Sequence, residues 1–124
     1  MWKDFTLDSA VRHRRAPGND PRHAIHGHTF TVRLHLSAPL DRLMGWTVDF
    51  GDVKAIFDPV FKTLDHHPLY EQPGLEDGDT ATIARWIYQR AKQNLPQLVR
   101  VDLYESEGCG SIVGENLGGP ALPV

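Results

Sequence analysis

The stretch His26-Gly27-His28-Thr29-Phe30-Thr31-Val32-Arg33-Leu34-His35-Leu36 alternates without a break. Phe30, Val32, Leu34 and Leu36 point one way, and Thr29, Thr31, Arg33 and His35 point the other. That period of two is the mark of a half-buried strand. His26 and His28 share the parity of the apolar row, so both imidazoles emerge on one face at its end. Two histidines at i and i+2 can touch one zinc ion, but a catalytic zinc site usually takes three protein ligands. On spacing alone they are half a ligand set, a weak signal, and two hydrogen-bonded histidines at a strand start are the better reading.

Working outward, Phe5 to Val11 also alternates, with Phe5, Leu7, Ser9 and Val11 on one face. Between the two strands, Arg14-Arg15-Ala16-Pro17-Gly18-Asn19-Asp20-Pro21 is dense in turn residues and reads as a loop. After a Pro39/Gly45 connection, Trp46-Thr47-Val48-Asp49-Phe50 reads as short and extended. From Asp52 the period becomes helical through Val53, Ile56, Phe57, Val60 and Leu64. Pro59 is expected to kink or divide that helix, because it lacks a donor and clashes with the preceding turn. A second helix is expected from Asp79 as N-cap to about Asn94, with Ile83, Trp86, Ile87 and Ala91 as its apolar stripe and Pro96 beyond its end. A strand covers Leu98 to Glu105, and Ser111-Ile112-Val113 adds a short last one.

Strand, strand, helix, helix, strand, strand implies an α+β fold, a four-stranded antiparallel sheet with both helices on one face. Such a sheet leaves an open face and two edges, which proteins commonly cover by association, so a homo-oligomer is expected. The chain has 124 residues, a net charge of −3, seven histidines and one cysteine. Its length suits one domain, 1–124. The acidity argues against a nucleic-acid surface. No apolar run suggests a membrane span or secretory signal, so a cytoplasmic location is expected. Cys109, flanked by glycines, reads as an exposed spectator.

Parity also singles out Glu105. Val99, Val101 and Leu103 are expected to face inward, and Glu105 continues their row. A carboxylate at the end of a buried row needs hydrogen-bonding partners: either the strand has ended and Glu105 reaches water, or Glu105 is held at a pocket wall to accept from a ligand's N–H groups. Leu64-Asp65-His66-His67 follows the first helix; a neighbouring Asp can orient an imidazole for acid–base work, and histidines placed at a helix end by its dipole read at least as well.

Together these residues resemble the 6-pyruvoyl-tetrahydropterin synthase / 6-carboxytetrahydropterin synthase family. The resemblance runs through Phe5 to Arg12, Ile25-His26-Gly27-His28-Thr29-Phe30, Gly45-Trp46-Thr47-Val48-Asp49-Phe50, Leu64-Asp65-His66-His67, Ala84-Arg85-Trp86-Ile87 and Val101-Asp102-Leu103-Tyr104-Glu105-Ser106. It implies the tunnelling fold (T-fold), whose subunits join edge to edge into rings that stack, commonly as a homohexamer of two rings. It places the ligand pocket between subunits, with Glu105 as pterin anchor and Asp79, Thr80 and Phe50 as further pterin contacts. In active members a three-histidine zinc site polarises the substrate, a cysteine acts as base, and an Asp–His pair matching Asp65 and His66 completes a proton relay. That chemistry removes triphosphate from dihydroneopterin triphosphate.

The chain departs from the family where this chemistry is most demanding. The first zinc histidine is replaced by Val11, the base cysteine by Arg22, and the Pro-Thr-x-Glu-Asn segment by Gly78-Asp79-Thr80-Ala81-Thr82. An arginine stays protonated and cannot replace a thiolate base, although Arg22 can bring positive charge to the former metal position. The expectation is therefore a pterin- or purine-like ligand site with no metal and no cofactor. His26, His28, Val11 and Arg22 mark the former metal site, and Asp65 and His66 are a relic of the relay. The alternatives are a zinc-dependent carbon–oxygen lyase with His26, His28 and His13 or His23 as ligands, and a non-catalytic scaffold.

Overall fold

The structure, a computed structural model, describes residues 1–12, 26–37 and 49–115. Strand β1, Trp2–Val11, pairs antiparallel with β2, His26–Leu36. Helix α1, Phe50–Leu64, is followed by a single 3₁₀ turn at Leu69–Glu71 and by helix α2, Thr80–Lys92. Strands β3, Leu98–Ser106, and β4, Cys109–Gly114, complete one antiparallel sheet in the order β1-β2-β3-β4. The α+β reading and the element order hold. No described helix is long and apolar enough to cross a membrane.

Register explains the core. Phe5 pairs with Val32 and Val32 with Leu103, while Leu7 pairs with Phe30 and Leu34 with Val101. All but Phe5, which is half-buried against them, join Val53, Phe57 and Leu64 of α1 and Ile83, Ala84, Ile87 and Ala91 of α2 in one buried cluster. Phe5, Phe57 and Phe61 meet at ring-centroid distances of 4.8 to 6.2 Å, within the range of tilted aromatic pairs. Asp79 caps α2 by accepting from the Thr82 amide at 2.9 Å, and Asp49 caps α1 by accepting from the Gly51 amide. Each cap satisfies a donor with no partner inside the helix.

Several sequence expectations change. β1 starts at Trp2 rather than Phe5, because an exposed edge strand extends through residues of mixed polarity. Phe50 belongs to α1, since Asp49 rather than Asp52 supplies the cap; Trp46 to Val48 lie outside the described residues. Pro59 does not divide α1. It sits, with Ala55 one turn before it, on the exposed side, where the carbonyl freed by the missing N–H faces water. Ile56 is exposed, and Phe61 packs on the core in its stead. In β3 a register irregularity beside Leu98 puts that residue in the core and leaves Val99 half-buried.

Candidate functional site

Glu105 lies near the C-terminal end of β3, half-buried, on the wall of an open pocket of about 430 Å³. Asp4, Thr31, Arg33, Tyr104 and Glu107 share that wall. His28 reaches Glu105 from β2, with Nε2 3.9 Å from Oε1. Its ring stacks on Phe30 at 5.4 Å between centroids. The parity argument thus places Glu105 and His28 together. β2 begins at His26, whose side chain lies outside the described part, as do Arg22, His13 and His23.

Three of these wall residues, Asp4, Arg33 and Tyr104, belong to a charged layer on the sheet face away from the helices. The row Asp4, Arg33, Asp102 runs across three strands in register. Arg33 is 5% exposed and grips Asp4 through Nε at 2.7 Å and Nη2 at 2.9 Å, while its guanidinium lies 5.3 Å from the Trp2 ring centroid. Asp102 is wholly buried and accepts from Arg100 Nε at 2.7 Å, His35 Nε2 at 2.9 Å and Tyr104 Oη at 3.0 Å. Burial pushes the Asp102 carboxyl up, but the hydrogen bonds from Arg100, His35 and Tyr104 outweigh it and hold the group below the usual carboxylate range. Burial, then the bond to Asp102, push the Tyr104 phenol above its ordinary value. The layer links β1 to β2 through Asp4–Arg33 and β2 to β3 through His35–Asp102, and it includes Tyr104, the residue before Glu105. Sequence reading missed it, and the only signal was the polar parity row of β2 facing Asp102 and Tyr104.

Asp65 and His66 lie elsewhere, along the outer edge of β1. Asp65 accepts from the Asp8 amide through Oδ1 at 3.1 Å and from His66 Nδ1 through Oδ2 at 2.9 Å. The His66 amide donates to the Asp8 carbonyl, and Ser9 Oγ donates to the His67 carbonyl. His66 adopts φ 60°, a left-handed conformation uncommon outside glycine. The pair is oriented: Nδ1 donates to the carboxylate, so neutral His66 presents an acceptor Nε2 outward, on a side chain 75% exposed. Two strand spacings, about 10 Å in all, separate β1 from β3, so this pair faces away from its own chain's Glu105.

Asp79 is the cap of α2, and Thr80 bonds to Ser111 of β4. Phe50 is exposed at the start of α1, 5.8 Å from Lys3 Nζ. None of the three lines the pocket within this chain. Of the positions that the family resemblance gives to zinc histidines, residue 11 supplies no ligand, and the side chains of His26, His13 and His23 lie outside the described part. Val11 is buried in the hydrocarbon core, where it offers no donor. Among the described residues, the group of potential ligands that converges is Asp8, Asp65 and His66, without His28.

The family model for 6-pyruvoyl tetrahydropterin synthase matches residues 1–116. The chain belongs to this family. It is 32% identical over 114 residues to a 6-carboxy-5,6,7,8-tetrahydropterin synthase of Synechocystis sp., covering 86% of this chain and 85% of that protein. It is 34% identical over 89 residues to a dihydroneopterin monophosphate aldolase of Pyrococcus furiosus, covering 69% of this chain and 75% of that protein. The structure of Caenorhabditis elegans 6-pyruvoyl tetrahydropterin synthase superposes with a TM-score of 0.81 at 17% identity, covering 94% of each chain. The T-fold expected from the sequence is therefore present in this family member.

Proposed function

We propose that this family member binds a pterin-like ligand through Glu105, in a pocket completed by neighbouring subunits of a homohexamer, and that it does not carry out the standard synthase reaction. The position of Glu105 carries this reading: a half-buried carboxylate on a pocket wall, with His28 Nε2 3.9 Å away. A carboxylate there suits the adjacent N–H donors of an amino-oxo heterocycle, pterin or purine. The two curated relatives are named for pterin substrates or products, which supports the ligand class. Arg22 in place of the base cysteine and Val11 in place of a zinc histidine support the loss of the standard reaction. A cytoplasmic location is part of the same reading.

A second reading is favoured by one observation, the oriented Asp65–His66 pair. A histidine so held can move a proton on a ligand seated against the neighbouring subunit, and the Pyrococcus furiosus relative is named as an aldolase. Calorimetric titration with neopterin tests the binding reading. Hydrogen bonds to a charged group contribute about 1.5–3 kcal/mol, so Glu105→Gln should weaken binding roughly 10- to 150-fold. Turnover of dihydroneopterin triphosphate by zinc-supplied protein at the rate of active synthases would sink the proposed loss of activity and favour a zinc lyase using His13 or His23. No neopterin binding, with Glu105→Gln indistinguishable from the parent, would leave the scaffold reading.

A further inference from the structure

The position where the family resemblance expects a zinc histidine has become part of the core. Val11 ends β1 at 1% exposure. Gly78, at φ 62°, approaches it so closely that a Cβ built there would lie 3.0 Å from Val11 Cβ and 3.4 Å from the Arg12 backbone. Hydrocarbon and backbone therefore fill the space around residue 11, where the resemblance expects an imidazole.

His28 is left with a different geometry. It is half-buried, stacked on Phe30, and its Nε2 stands 3.9 Å from Glu105 Oε1. That gap is too long for a direct hydrogen bond. A single ligand atom can nevertheless sit about 2.8 Å from both groups at once, the ordinary hydrogen-bond length. We infer that His28 serves this chain as a direct ligand-binding partner of Glu105 in a metal-independent site, the two groups clamping the N–H-bearing edge of an amino-oxo heterocycle. The Phe30-backed imidazole ring adds a flat aromatic surface beside the carboxylate, suited to a planar ligand. This inference rests on the reading of Glu105 as ligand anchor.

The test uses the full chain purified without chelators. Elemental analysis and a Co²⁺ titration followed by visible absorption should show neither stoichiometric zinc nor the bands of a tetrahedral site. Neopterin affinity by calorimetry should be the same in chelator-treated and zinc-supplied protein. His28→Ala should weaken it about tenfold or more, as expected when a hydrogen bond to a charged or polar ligand group is lost. His28→Gln, which keeps a donor and an acceptor at similar reach, should recover most of that loss, and circular dichroism checks that both variants fold. Stoichiometric zinc that disappears in His28→Ala, or binding lost on chelation, overturns the inference. So does undiminished binding by His28→Ala while Glu105→Gln abolishes it, and in that case the Glu105 reading stands. Absence of neopterin binding by the parent protein removes both.

Discussion

Asp102 shows most clearly what one residue does in this fold. A carboxylate with no solvent exposure is tolerated only because Arg100, His35 and Tyr104 all donate to it. Removing one member of a buried charged set costs about 3–5 kcal/mol, so Asp102→Ala should approach that loss in chemical denaturation. Asp102→Asn keeps an acceptor and should lose less. The carboxyl titrates below the usual carboxylate range when folded, so over acidic pH the unfolded chain takes up its proton first. Its contribution is therefore complete above the unfolded value near pH 4. It is lost as pH falls through the lower folded value. Asp102→Asn should flatten the acid limb of the stability profile; an unchanged acid limb would show that other carboxylates dominate it.

At the scale of elements, the β3–β4 hairpin separates two reasons for a glycine. Gly108 sits at φ 79° with open space around a hypothetical Cβ. Gly110 has no left-handed requirement, but a Cβ there would strike the Leu103 carbonyl and the Tyr104 backbone. Gly108→Ala should cost about 1 kcal/mol, the penalty for a left-handed alanine. Gly110→Ala should cost more, in the range of severe packing defects above about 2 kcal/mol, because the obstacle is backbone and cannot rotate away. Thermal or urea unfolding of the two variants gives the comparison, and equal losses would contradict it. The same distinction between local pattern and context governs how legible the fold was. Period-two and helical patterns located the four strands and both α-helices, though not the 3₁₀ turn at Leu69–Glu71, and parity singled out Glu105 and His28, because burial acts on each residue directly. Pro59 misled because local chemistry does not say which helix face meets water. Val99 misled because one register irregularity reverses parity. The Asp4–Arg33–Asp102 row was hidden because its pairing depends on the register of three strands, which one sequence does not specify.

At the scale of the whole molecule, the sheet of the described residues has two edges, β1 and β4, and the described residues cover β1 only in part. Its pairing with β2 runs without a register break from Trp2 to Val11. In an antiparallel ladder, alternate residues point both backbone groups away from the partner strand. Asp8 is one of these, since its amide bonds to Asp65 and its carbonyl accepts from His66. Trp2, Asp4 and Thr6 share that parity, so their N–H and C=O groups face away from β2, and among the described residues none bonds to them. An open row of this kind is a template for another strand, and it lies on the edge that also carries Asp65 and His66. Edge-to-edge association through β1 would bring that pair toward a neighbouring subunit. Thr6→Pro isolates the effect, because proline at an outward position removes a donor from the edge and none from the β1–β2 ladder. We expect light scattering to give an oligomer for the parent and a smaller species for Thr6→Pro. The parent melting temperature should also rise with protein concentration, and that of Thr6→Pro should respond less. A monomeric mass for the parent, or a melting temperature independent of concentration, would sink the edge-assembly reading and the shared pocket with it.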